Sequence, residues 1–206
     1  MNDYFALFGE QRRPWLDPDA LKEKFLQFSS EVHPDRVHAA SAEVKAAAQS
    51  RYTELVTAYH TLREPRDRLG HWLELEHGAK PAPLQSLPPS LQHLLFEVGQ
   101  LLRGTDALRE EKSRVSSPLL KVQFFERCQP AIDRLQAALK KIDEQQNARL
   151  AELKNLDAEW FGFASPQSPT DGATVPFERL EEIYHALGFL ARSAAQLRER
   201  VFQLGL

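Results

Sequence analysis

Proline residues divide this sequence into segments in which apolar side chains recur every three or four residues, the spacing of an amphipathic α-helix. The first segment begins at Asp17-Pro18, an N-cap residue followed by a proline suited to the first helical position. It should end at His33, because Pro34 disfavours helical geometry in the residue before it. The apolar residues that share one face of this helix are Leu21, Phe25, Phe28 and Val32.

A second helix is expected to begin near Ser41 and to end at Pro65. Its apolar face is formed by Val44, Ala48, Tyr52, Leu55, Tyr59 and Leu62. Two facing apolar stripes favour an antiparallel helical hairpin with its own core. One further short helix, around Trp72, is expected before Gly78. We therefore predict an N-terminal helical domain over residues 1–78.

The remainder of the chain predicts a second helical domain. Residues 79–89 contain Pro81, Pro83, Pro88 and Pro89, which favour a stiff connector. Three more amphipathic segments follow and favour a three-helix bundle over residues 90–206, so the expected fold class is all-α. Pro130 is expected to kink the second of these helices or to split it near Gln129. Residues 162–176, rich in Ser, Pro, Thr and Gly, predict an inserted surface loop.

The composition narrows the functional class. A formal net charge of −3 shows no basic excess, so no nucleic acid partner is expected. No apolar run is long enough for a membrane span, and Met1-Asn2-Asp3 lacks the basic start of a secretory signal. We therefore expect a cytoplasmic protein without a membrane partner. Cys128, the only cysteine, leaves no intramolecular disulfide and is expected to be a packed core thiol.

The loop between the first two helices carries His33-Pro34-Asp35. Proline fixes one backbone angle, so His33 and Asp35 are expected on a rigid, exposed corner that a partner can recognise at low entropic cost. A simpler interpretation is a helix-terminating turn in which Asp35 caps nearby amides. A third interpretation is a metal-dependent hydrolase with His33, Asp35 and His38 as ligands, although a fourth ligand is not evident.

The order of these features resembles the J domain of the DnaJ superfamily. The resemblance rests on the opening turn Asp3-Tyr4-Phe5-Ala6-Leu7-Phe8-Gly9, a helix, His33-Pro34-Asp35, a second helix and Leu62-Arg63-Glu64-Pro65. It implies docking on a DnaK- or HscA-type chaperone and stimulation of its ATPase through His33, Pro34 and Asp35. Arg36 and Lys22 are implied as supporting residues of that contact. The chain itself is then not an enzyme, and no cofactor or metal is expected.

The whole chain is also similar to the HscB family of iron–sulfur co-chaperones, in which a J domain is followed by a three-helix domain. Late segments that carry the similarity are Leu156-Asp157-Ala158-Glu159-Trp160 and Phe189-Leu190. This resemblance implies that the second domain delivers a client, the iron–sulfur scaffold protein of the IscU type. The candidate client-binding residues are Phe96, Glu97 and Phe189.

The first helix of the second domain departs from the family pattern. HscB proteins carry a Leu-Met pair followed by several acidic residues there, whereas residues 91–97 read Leu-Gln-His-Leu-Leu-Phe-Glu. Core positions are expected at Leu91, Leu94, Leu95 and Val98, which leaves Phe96 exposed as an anchor for a partner. Two further interpretations stay open: self-association through the helical domain, and a J-like adaptor that does not activate a chaperone.

Overall fold

The computed structural model describes residues 2–33, 35, 40–81, 88–161 and 177–205. These residues form eight α-helices and no strand, which confirms the predicted all-α class. The helices are α1 (Tyr4–Leu7), α2 (Pro18–Val32), α3 (Ala42–Arg63), α4 (Pro65–His77), α5 (Pro89–Gly104), α6 (Asp106–Lys112), α7 (Pro118–Phe161) and α8 (Phe177–Leu204). Within this described part, none of the helices has the length and apolar character that crossing a membrane requires. The predicted loop at 162–176 and most of the predicted connector at 79–89 lie outside the described residues.

Both helices of the N-terminal hairpin begin where the sequence places their caps. The Asp17 carboxylate accepts the backbone N–H groups of Asp19 and Ala20, each at 2.9 Å. The Ser41 hydroxyl oxygen accepts the N–H of Val44 at 3.4 Å. First-turn amides have no acceptor within their own helix, so these caps stabilise the two starting points.

Helices α2 and α3 pack against each other in an antiparallel arrangement. The ring of Phe25 stacks on Tyr59 with the centroids 4.1 Å apart, and nearer the loop the ring of His33 meets Tyr52. The chain therefore runs toward the loop along α2 and away from it along α3. Below these rings Leu21 and Leu62 are almost fully buried, so the hairpin has an apolar core of its own.

The chain divides into two compact units that do not follow its linear order. The first unit comprises residues 1–82 and 152–184, and the second comprises residues 83–151 and 185–206. Each of the long helices α7 and α8 thus contributes to both units. The domain bounds 1–78 and 90–206 stay a prediction; the compact units differ from them because the end of α7 and the start of α8 pack with the first 82 residues.

A buried carboxylate explains why the end of α7 belongs to the first unit. Asp157 is 1% exposed, and both of its oxygens lie 3.1 Å from Nε of Arg13, with a further ion pair to Nη2. The backbone N–H of Trp15 donates to the same carboxylate at 2.9 Å. The hydrogen bond to Asp157 raises the pKa of the Arg13 guanidinium. A bidentate arginine and a backbone amide together satisfy a carboxylate that water barely reaches.

Arg68 is a second buried charge in this unit. Its guanidinium donates to the carbonyl oxygens of Pro14 and Leu62, each at 2.8 Å, and lies over the ring of Trp15 at 5.7 Å from the centroid. Burial lowers the pKa of Arg68 to about 10, so it still carries its charge at neutral pH. Arg68 therefore joins the segment before α2, the end of α3 and the start of α4.

His71 connects α4 to the opening helix α1. Its Nε2 accepts the backbone N–H of Tyr4 at 3.2 Å, and its ring stacks on Tyr4 and Phe5 with centroid distances of 4.6 and 5.7 Å. Nε2 can accept this hydrogen bond only while it is unprotonated. Burial lowers the pKa of His71, so the fold favours the neutral imidazole.

We expect this contact to make stability depend on pH. Because the folded-state pKa of His71 lies below its unfolded value of about 6.5, the unfolded chain binds the proton more readily. The neutral ring therefore stabilises the fold fully when the pH is above the unfolded-state pKa. This stabilisation decreases as the pH falls from the unfolded-state pKa toward the lower folded-state pKa. Urea unfolding at about pH 7.5 and about pH 5.5 should show a larger loss of stability for the wild type than for His71→Gln, which does not titrate. Equal losses in the two proteins would contradict this assignment.

The core of the second unit is formed by α5 and by the parts of α7 and α8 that belong to it. Its most buried side chains include Leu91, Val98, Leu135, Ile142, Leu190 and Leu197. Cys128 is fully buried among them, and burial raises the pKa of its thiol. It therefore packs as a protonated core thiol, as predicted. The seven-residue helix α6 has no counterpart in the sequence prediction.

One sequence prediction in this unit is wrong and another is resolved in part. Helix α7 is not split near Gln129 but continues through Pro130, and the alternative of a kink there stays a prediction. Cys128 and Ile132, on either side of the proline, are both buried in the same core, which offsets the single amide hydrogen bond that proline lacks. Leu95 is 40% exposed rather than buried, because other residues of α5 already fill its core-facing positions.

Candidate functional site

His33 stands at the end of α2 with extended backbone geometry, φ −61° and ψ 131°, as expected for a residue that precedes proline. The edge of its ring contacts Tyr52 of α3, with the centroids 5.2 Å apart and the planes at 77°. This edge-on arrangement is favourable for aromatic rings. The side chain is nevertheless 45% exposed, so His33 is held from one side and open to a partner on the other.

Asp35 completes the part of the corner that the structure describes. Its backbone N–H donates to Nδ1 of His33 at 3.3 Å, and its carboxylate oxygen lies 3.6 Å from the same nitrogen. Because Nδ1 accepts this hydrogen bond, the neutral imidazole carries its proton on Nε2. The Asp35 side chain is 91% exposed. The corner thus offers an N–H donor and a carboxylate acceptor; the predicted site residues Pro34 and Arg36 lie outside the described residues.

The exposed face of α2 leads up to this corner. Lys22 lies about three helical turns before His33, on the same side of the helix, and Leu26 lies between them with 56% exposure. Lys24 points elsewhere, because its ammonium group donates to Glu10 at 2.6 Å. The described part of this face therefore combines one lysine with an exposed leucine.

The two serines on this stretch of α2 add no charge. The hydroxyls of Ser29 and Ser30 donate to carbonyl oxygens of their own helix, those of Leu26 and Gln27, at 3.1 and 2.7 Å. The face is therefore only weakly basic.

The described residues contain no group of three histidine, cysteine, aspartate or glutamate side chains placed to hold a metal ion. His38, the third ligand of the metal hypothesis, lies outside those residues. His33 and Asp35 do lie together, but they share a hydrogen bond through Nδ1. The metal interpretation stays a hypothesis that elemental analysis of the purified protein can test.

The candidate client-binding residues differ in their surroundings. Phe96 on α5 is 60% exposed, in agreement with the predicted exposure. Glu97 is engaged within the bundle, where its carboxylate accepts a hydrogen bond from Lys141 at 2.6 Å. Phe189 on α8 is only half-buried, so part of its ring reaches solvent. Leu95 adds exposed apolar surface beside Phe96.

No family model matches the sequence of this chain. Solved structures that share its architecture include two HscB proteins. The chaperone HscB from Vibrio cholerae superimposes with a TM-score of 0.65 over 98% of this chain and 99% of its own, at 20% identity. The chain has the HscB fold. The human co-chaperone HscB gives a TM-score of 0.58 over 97% of this chain and 82% of its own, also at 20% identity.

The HscB fold covers both compact units. Within the fold, the sequence located the corner formed by His33 and Asp35 but missed the role of Tyr52. Tyr52 fits the apolar stripe of α3 and was expected only as a packing residue. The antiparallel pairing of α2 and α3 places Tyr52 directly across from His33. That pairing is the signal that could have identified Tyr52 as the residue supporting His33.

Proposed function

We propose that this protein is a co-chaperone that stimulates ATP hydrolysis by a DnaK- or HscA-type chaperone through His33-Pro34-Asp35. The observation that carries the proposal is the pose of His33, held by Tyr52 and by the Asp35 amide while its outer side is open. The likeness to HscB structures supports the same role. Arg36 and Lys22 would assist the contact.

Such a corner acts by binding and catalyses no reaction itself. A side chain already fixed by its neighbours loses little conformational entropy when a partner binds it. If the partner's hydrolysis-competent conformation accepts the Nε2–H donor and the Asp35 carboxylate better than its other conformations do, binding shifts the population toward hydrolysis. The rate changes on the chaperone, in the cytoplasm, while the co-chaperone is unaltered.

The test is single-turnover ATP hydrolysis by DnaK-type and HscA-type chaperones from the same organism, with and without this protein. Stimulation of either supports the proposal, and the chaperone that responds identifies the cognate partner. A folded protein that stimulates neither would favour the adaptor interpretation.

We further propose that the second domain delivers the iron–sulfur scaffold protein of the IscU type, as the HscB resemblance implies. Phe96 offers an exposed aromatic anchor on α5, with Leu95 beside it. Glu97 and Phe189 are the other residues proposed for this contact. Phe96→Ala should reduce scaffold binding about tenfold or more in a calorimetric titration, without changing chaperone stimulation. Unchanged scaffold binding would remove Phe96 from the client surface.

The weakly basic face of α2 predicts that the chaperone contact depends little on salt. Exposed charges steer association only where several of them act together, and salt screens them within about 8 Å at physiological ionic strength. The association rate should therefore fall by less than about threefold between roughly 50 and 300 mM salt. Replacing Ser29 and Ser30 by Lys should make the rate faster at low salt and more sensitive to added salt. A steep dependence in the wild type would contradict this reading of the face.

A further inference from the structure

A cavity of about 530 Å³ opens in the second unit, where α6, the first turns of α7 and the last turn of α8 meet. Much of its wall is apolar and consists of Val115, Phe124, Phe125 and Leu204. Phe124 and Leu204 are at most 5% exposed, so this wall belongs to the packed core. Concave apolar sites of this size with a few polar groups are typical of small-molecule binding sites.

Three cations line the cavity, and two of them are held by the protein itself. The ammonium group of Lys112 donates to the carbonyl oxygens of Gln203, at 2.8 Å, and of Gly205. Arg109 lies 3.8 Å from the carboxylate of Asp106. Among the described residues that line the cavity there is no aspartate or glutamate. Apart from Arg109, which is paired with Asp106 outside the cavity lining, the cations of the wall face no acidic residue among those described lining residues.

Lys121 is the third cation. Within the described part of the chain its ammonium group has no hydrogen-bond or ion-pair partner. It lies one turn before Phe125 on the same side of α7, so its charge stands beside the apolar wall. Leu120, which is 52% exposed, lies one turn before Phe124 and extends the apolar surface outward.

We propose that this cavity binds a medium-chain carboxylate, with the alkyl chain against the apolar wall and the carboxylate on Lys121. The apolar wall favours a hydrocarbon chain, because each buried methylene adds affinity. The ammonium group of Lys121 has no protein partner among the described residues and favours an anion, because a charge-assisted hydrogen bond to a carboxylate is stronger than one between neutral groups. The residues involved all belong to the second unit, and the proposal does not depend on chaperone activation.

The test uses the full-length chain labelled with ¹⁵N and titrated with sodium octanoate below its micellar concentration. We expect saturable shifts of the amide signals of Val115, Phe125 and Leu204. Lys121→Gln should weaken octanoate binding about tenfold, because the charged partner is lost. The same variant should bind octan-1-ol as the wild type does, since the alcohol has the chain without the charge.

Lys140→Gln provides the matched control, because Lys140 is an exposed lysine farther along α7. It should bind octanoate with wild-type affinity. The proposal is overturned if octanoate gives no saturable shifts, or if octanoate and octanol bind equally well to the wild type. It is also overturned if Lys121→Gln leaves octanoate binding unchanged, or if the shifts are scattered over the surface as in detergent adsorption.

Discussion

Replacing His33 by Gln is expected to remove the stimulation of ATP hydrolysis while leaving the fold intact. Glutamine cannot reproduce both contacts of the imidazole, the edge-on contact with Tyr52 and the acceptance of the Asp35 N–H by Nδ1. The fold should survive because the side chain is 45% exposed and lies at the end of its helix. Single-turnover hydrolysis with the responsive chaperone should fall at least about tenfold toward the unstimulated rate, which corresponds to about 1.4 kcal/mol of coupling.

The chain offers a matched control for this experiment. His93 is an exposed histidine on α5 in the second unit, so His93→Gln makes the same chemical change at a residue that is not part of the corner. It should stimulate hydrolysis as the wild type does, and both variants should keep the wild-type helical circular dichroism. Full stimulation by His33→Gln would contradict the coupling role of this residue. Tyr52→Phe should retain most activity, because the ring contact with His33 does not need the hydroxyl.

Replacing Asp157 by Ala should produce the largest loss of stability. The change removes the bidentate partner of Arg13, the acceptor of the Trp15 N–H and the anion whose charge favours ionised Arg68. Breaking a buried ion pair by removing one partner typically costs 3–5 kcal/mol. Arg13 is 30% exposed and can regain water, so we expect a decrease of about 2 to 4 kcal/mol in the free energy of unfolding. Urea denaturation followed by circular dichroism measures it.

A surface ion pair provides a control for the buried pair of Asp157 and Arg13. Asp143 lies 3.5 Å from Arg198, and both side chains are more than half exposed, so Asp143→Ala should change stability little. Asp157→Asn keeps an acceptor for the Trp15 N–H and should fall between the two alanine variants. If Asp157→Ala were no more destabilising than Asp143→Ala, the buried network would not stabilise the packing of the end of α7 within the first unit.

Local signals in the sequence were enough to locate the N-terminal hairpin. Asp17-Pro18 and Ser41 cap the helices that they were expected to cap, and Pro34 marks the end of α2. These features are determined within a few residues of the chain, where capping and proline geometry act directly. At Pro130 the same local rule does not end the helix, because packing of the flanking residues against the core outweighs one missing hydrogen bond.

The buried ion pair, the burial pattern of α5 and the support of His33 could not be predicted, because they depend on contacts between residues far apart in the chain. Nothing near Arg13 or Asp157 indicates that the two side chains pair, since each alone is compatible with an ordinary exposed helix or loop. Leu95 and Leu94 are equally apolar, and only the direction in which α5 packs separates the exposed residue from the buried one. At the candidate site, the sequence predicted that His33 and Asp35 lie at the corner. That Tyr52 supports His33 became evident only from the packing of α2 against α3.

The contribution of α7 and α8 to both units has a consequence for biosynthesis. The Trp15 amide meets its acceptor 142 positions later in the chain, and Trp72 stacks on Phe177 at the start of α8. During translation, which proceeds from the N-terminus, the first unit is completed only after α7 and the beginning of α8 have left the ribosome. Until then, Trp72 and the surface around Arg68 are not packed against these later helices and are exposed to solvent. In an excised fragment ending at residue 82, the same surface would stay exposed.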